Sequence, residues 1–165
     1  VTMTLLRTQT ATADSFISYS YGLLNPTTGA NTVEINFSSL SVCEANSLSY
    51  TGVAQSGLPD AVTGNSNTGT TWSQAITTVA NNCWVIAFQR ASGPFAAEAP
   101  DVKRATTQDQ QNAADSDAAV TPAGSYTING TCADSGDNTT IALSIAPAVA
   151  GASTHPRRMM TGLGM

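Results

Sequence analysis

The run Cys83-Trp84-Val85-Ile86-Ala87-Phe88 constrains the fold of this chain more than any other stretch. Side chains alternate along a strand, so Cys83, Val85 and Ala87 face one way and Trp84, Ile86 and Phe88 the other. Both faces are apolar, which predicts a central strand covered on both sides. A second apolar run ends at Val79, and Ala80-Asn81-Asn82 has turn chemistry. The segment from Ile76 to Arg90 therefore reads as two strands joined by a tight turn.

The rest of the chain reads as short strands cut by Gly, Pro and Asn. Residues 1–8 form a strand that starts abruptly. Residues 16–24 alternate, with Ile17, Tyr19, Tyr21 and Leu23 on the inward face of a half-buried strand and Ser18, Ser20 and Gly22 on the other. Asn25-Pro26-Thr27-Thr28-Gly29 is a turn, in which proline presets φ and glycine supplies the positive φ. Residues 31–37 alternate again, with Val33, Ile35 and Phe37 inward. Residues 39–51 hold a further strand or two, anchored by Val42, Leu48 and Tyr50. Residues 52–71 and 108–119 read as long polar loops. Residues 100–107 suit a short edge strand, because Lys103 and Arg104 would discourage edge-to-edge pairing. Residues 125–129 and 139–146 close the core, with a tight connection at 134–138. Eight or nine such strands with no helical pattern predict an all-β fold, an antiparallel β-sandwich over residues 1–147. Residues 148–165 lack both charge balance and strand pattern and read as an extended C-terminal arm.

Composition narrows the function classes. Only 10 % of the 165 residues are charged, against roughly 25 % in an average soluble domain. The formal net charge is −5, and the basic pairs Lys103-Arg104 and Arg157-Arg158 make no stripe. Nucleic acid is therefore not an expected partner. No apolar run approaches the ~20 residues of a membrane-spanning helix, so no membrane partner is expected either. Cys43, Cys83 and Cys132 fit no zinc spacing, and Cys83 lies inside the apolar run. Three free thiols are expected, with a Cys43–Cys132 bridge as the alternative.

Candidate sites are few. Asp109, Asp115 and Asp117 could hold calcium, as could Asp134, Asp137 and Asn138, but neither group has the spacing of a calcium loop, and solvated loop charge is the favoured reading. Among the aromatic residues, Trp84 belongs to the core, and Trp72, at the end of a polar loop, is the candidate to meet a glycan or a protein partner. His155 is the only histidine. There is no Gly-rich phosphate loop, no HExxH and no GxSxG, so neither a cofactor nor a catalytic residue is indicated. Arg157-Arg158-Met159-Met160 is basic and apolar on an acidic chain. It reads either as a plain tail or as a docking arm whose arginines pair carboxylates and whose methionines fill a groove on a neighbour.

Four segments, LLNPTTGANTVEINF (23–37), TTVANNCWVIAF (77–88), AAVTPAGSYTI (118–128) and IALSIAPA (141–148), carry a resemblance. Together they resemble jelly-roll-like β-sandwich domains found in structural proteins of tailed bacteriophages. Asn25, Pro26, Thr28, Gly29, Asn31, Thr32 and Val33 match the first family segment. Asn82, Cys83 and Trp84 match the second, and Ser144, Ile145 and Pro147 the last. These motifs are structural, so the resemblance implies a fold and a setting but no reaction. Family domains carry further strands ahead of the position of Val1, and the arm lies outside the pattern. The resemblance implies a non-enzymatic virion protein, first a capsid decoration (cement) protein on the particle surface and second a tail component. Its partners would be the major capsid protein or tail lattice and further copies of itself. The rival expectation is a carbohydrate-binding or adhesin module that meets a surface glycan through Trp72.

Overall fold

The computed structural model describes residues 2–13, 16–30, 32–36, 43–91, 93–107 and 110–149. Its strands are β1 (Thr4–Thr10), β2 (Ile17–Gly22), β3 (Ala61–Thr77), β4 (Trp84–Arg90), β5 (Phe95–Ala97), β6 (Val102–Thr107), β7 (Gln111–Asp115) and β8 (Ser125–Ile145). All pairings between them are antiparallel. Among the described residues there is no helix, and the architecture is the expected antiparallel β-sandwich.

Two long strands build both layers of that sandwich. β3 and β8 pair along nearly their whole length as one ribbon. In a straight strand Asn65 and Ser73 would lie about 26 Å apart, at roughly 3.3 Å per residue. Instead Asn65 Nδ2 donates to the Ser73 carbonyl at 2.9 Å, Asn67 Nδ2 to the Thr71 carbonyl at 2.7 Å, and Gln74 Nε2 to the Thr63 hydroxyl at 3.1 Å. The ribbon therefore folds back on itself at Gly69, whose φ of 137° favours a residue without Cβ. Opposite the fold, the register jumps from Gly69↔Gly136 to Thr71↔Thr131, so residues 132–135 of β8 bulge out of the ladder. Buried Asn138 pins this corner, donating from Nδ2 to the carbonyls of Gly69 (2.8 Å) and Gly136 (3.1 Å).

One half of the ribbon, 61–69 with 136–145, extends sideways into β4, β7 and β6, in the order β3-β8-β4-β7-β6. The other half, 71–77 with 125–131, takes β5 on the far side of β8. The core lies between the halves, where Trp72, Ile76, Phe95 and Ile128 pack on Val85, Ala87, Ala114 and Ala142. The outer face of the larger layer is covered too. The β1–β2 hairpin is tied to it by the Ser18–Thr139 hydroxyl pair (2.6 Å) and by Arg7 Nη2 donating to the Gly64 carbonyl (3.2 Å). Residues 43–50 cover β4 and β7, with Asn46 Nδ2 on the Gln111 carbonyl (2.6 Å). This third layer explains why Ile86, Ile141 and Leu143 are buried as fully as Val85 and Ala87.

Several expectations need correction. β3 and β4 do not form a hairpin; β8 pairs with both, and residues 78–83 carry the chain from one layer to the other. Asp60 holds this corner, accepting from the amides of Val79 (2.7 Å) and Ala80 (3.1 Å), from the Ser144 hydroxyl (2.8 Å) and from the Cys83 thiol (3.4 Å). Residues 61–71 are strand, not loop. Their Asn and Thr side chains fooled the polarity pattern because they hydrogen-bond across the fold of β3. Residues 111–115 are also strand, hidden by two alanines and by polar Asn112 and Asp115, all buried between β4 and β6. Residues 134–138 belong to β8 and its bulge. Conversely, residues 32–36 are exposed and not in a strand, since no described neighbour offers them a ladder.

Trp72, expected at an exposed loop end, is 2 % exposed. It is a strand residue opposite Gly130 and stacks on Phe95, with ring centroids 5.0 Å apart. A Cβ at Gly130 would come within 2.8 Å of the indole, so glycine there makes the room for the ring. Trp72→Ala should lower the unfolding free energy by about 3–5 kcal/mol in denaturant titration. A loss under about 1 kcal/mol would contradict this placement of the indole in the core.

Candidate functional site

A groove opens where the third layer ends over β4 and β7. It measures about 490 Å³ and is lined by Ser47, Leu48, Ser49, Tyr50, Trp84, Arg104 and Asp115. Three local features build it. Trp84 starts β4 on the outer face, two residues before buried Ile86, where the cover thins and leaves its ring half-buried. Asp115 ends β7 on the same face, paired with Ile86. Arg104 stands in a β-bulge, because the β6–β7 register slips between Lys103 and Ala105. The bulge frees Arg104 from the alternation that sends neighbouring Lys103 to the Phe95 carbonyl in the other layer (3.1 Å), and aims it at Asp115.

Asp115 organises the polar side of the groove. Its carboxylate is almost fully buried and accepts from Arg104 Nε (2.8 Å), the Tyr50 hydroxyl (2.8 Å) and the Asp117 amide (2.9 Å). Arg104 Nη2 also donates to Asp117 Oδ1 at 2.6 Å. Burial works to raise the Asp115 carboxyl, but the bonds from Arg104, Tyr50 and the amide outweigh it and hold the group below the usual carboxylate range. Burial, and then the bond to Asp115, pushes the Tyr50 phenol well above its ordinary value. Asp115 is thus held in its ionised form and Tyr50 in its neutral, hydrogen-bond-donating form. On the apolar side, Tyr50 and Trp84 meet at 5.9 Å with their planes tilted by 44°. The groove offers an aromatic contact surface and fixed hydrogen bonds.

The structure revises most of the candidate residues. Trp72 is core and takes no part in the groove, while Trp84, expected in the core, lines it. Asp115 is neither solvated loop charge nor a calcium ligand in waiting, because Arg104 supplies its counter-charge. Asp109 and the arm residues Arg157, Arg158, Met159 and Met160 lie outside the described residues, as does His155. All three cysteines are free, Cys43 exposed and Cys83 and Cys132 buried. Burial, then the Asp60 carboxylate, pushes the Cys83 thiol up to about 11. Sequence reasoning missed the groove because its parts are scattered. The one local signal was Lys103-Arg104, whose second member had to leave the strand alternation to be useful.

A second surface stands out. β2 is turned the opposite way from its expected orientation. Ser18 and Ser20 point inward, and Ile17, Tyr19 and Tyr21 point out, 49 %, 55 % and 50 % exposed. Leu5, paired with Tyr21 on β1, is 49 % exposed beside them. The hairpin hides hydroxyls and presents its large apolar side chains.

Compared with known proteins, the chain matches no family model, no curated protein and no solved structure.

Two measurements test the electrostatics and the thiols. Asp60 and Asp115 are depressed in the folded state, so the stability they contribute is present above the unfolded value of about 4 and is lost as pH falls through their folded values. Asp115→Asn should lower stability at pH 7 by about 2 kcal/mol and flatten the decline below about pH 4, as read by denaturant titration across pH. An unchanged acid slope would contradict the assignment. In the native protein at pH 8, a thiol reagent should label Cys43 promptly and reach Cys83 and Cys132 only after denaturation. Prompt labelling of all three would contradict their burial.

Proposed function

We propose that the chain is a non-enzymatic structural protein of a tailed-phage particle, acting as a capsid decoration protein on the particle surface. The observation that supports this reading best is the outward apolar face of the β1–β2 hairpin. A sheet face usually buries its large apolar residues and leaves the hydroxyls to water. Here the order is reversed, with Leu5, Ile17, Tyr19 and Tyr21 grouped on the outside. Tyr19 and Tyr21 lie with ring centroids 6.5 Å apart. Tyrosines beside aliphatic residues on an exposed face are typical of the centre of a protein–protein contact. Large exposed apolar patches mark such contacts more often than they mark idle surface.

The rest of the molecule is consistent with work by docking. Few charged side chains means little desolvation cost when a broad surface is covered. The particle setting comes from the resemblance described above, and the major capsid protein or tail lattice and further copies of the chain are the partners it implies. Closed symmetric clusters would place this face at a repeated contact.

The test is a Tyr19→Ser/Tyr21→Ser variant. Both side chains are half exposed, so thermal unfolding should change little. Occupancy on the particle should fall at least tenfold, which corresponds to about 1.4 kcal/mol of lost docking energy. Full occupancy with a folded variant would overturn the assignment of this face.

A further inference from the structure

We infer that the groove between Tyr50, Trp84 and Arg104 is a binding site for a neutral saccharide. This inference does not depend on the particle setting proposed above. The groove is open to solvent and measures about 490 Å³. Aromatic and hydrogen-bonding groups line it together. One wall is aromatic, with Tyr50 and Trp84 tilted against each other. Trp84 is only half-buried although it begins a strand whose next three residues are fully buried. A sugar ring presents an apolar C–H face to such a wall and hydroxyls to the opposite side.

Beside the rings are hydrogen-bonding groups, two of them already held in place. Arg104 is fixed through Nε and Nη2 by Asp115 and Asp117, and no described group accepts from its Nη1. Asp117 is bonded through Oδ1, with its side chain 54 % exposed beside Arg104. The Ser47 and Ser49 side chains are exposed along the rim. A donor, a carboxylate and two hydroxyls suit a polyhydroxylated ring, and the immobilisation of Arg104 and Asp117 removes part of the entropy cost of binding. Charge narrows the class further. Arg104 is outnumbered by Asp115 and Asp117, and the whole chain carries −5, so uronic and sialic acids are disfavoured.

The chain has two tryptophans, and only Trp84 lines the groove, so its fluorescence reports occupancy. The full chain would be titrated with cellobiose, chitobiose and lactose as neutral probes and with sialyllactose as the acidic control. Saturable quenching is expected with at least one neutral probe and not with the control. Ser49→Phe fills the rim without touching the core and should weaken that binding at least tenfold at unchanged thermal stability. Arg104→Lys keeps the charge but loses the planar fork, and should weaken it as well. No saturable response to any neutral probe, binding of the acidic control alone, or binding untouched by Ser49→Phe would each overturn the proposal.

Discussion

The fold depends on one corner, where the β3–β8 ribbon turns back at Gly69. Everything else is placed relative to it. The fold converts one long pair of strands into two facing layers, so the ribbon supplies both walls of its own core. Without the bend, Trp72 and Ile128 would have no Val85 or Ala142 to meet. The corner is held by polar groups: Asn65, Asn67 and Gln74 bridge the two arms of β3, and Asn138 ties the bulge to Gly69. The side-chain N–H groups of these amides bond across the fold, which favours this one geometry. A chain with few charges but many Asn, Gln, Ser and Thr is suited to this kind of specification.

The same economy shapes the surfaces. β1–β2 uses serine hydroxyls to sit on the ribbon, which releases its tyrosines and isoleucine to the outside. Arg90 lies over the Phe16 ring at 4.0 Å and anchors the start of β2. At the other end of the sheet, a bulge in β6 turns Arg104 from an edge charge into the partner of Asp115. Both surfaces arise from local departures from regular strand alternation, one by inverting the face and one by inserting a residue.

How much of this could be read in the sequence follows from the same physics. The apolar run around Val85 located the central strand, since no surface strand carries two apolar faces. Cys83 in the apolar run, the β6 edge and the strand at 125–129 were legible for similar reasons. β3 and β7 were not, because their buried residues are polar or small and their partners lie far along the chain. The two tryptophans exchanged roles. Trp72 sits in a polar context, but Gly130, 58 residues away in sequence, makes its pocket. Trp84 sits in an apolar context, but the layer above it ends beside Tyr50. Alternation says which residues share a face; it does not say which face is covered, and β2 was read inside out for that reason.

Docking into a larger assembly is the function proposed for this molecule. The most direct measurement is light scattering on a gently fractionated native source, with intact mass taken from the same fraction. The account predicts that the chain travels with a particle of megadalton scale. A free species near its own 16.9 kDa, or a small multiple of it, would contradict the claim.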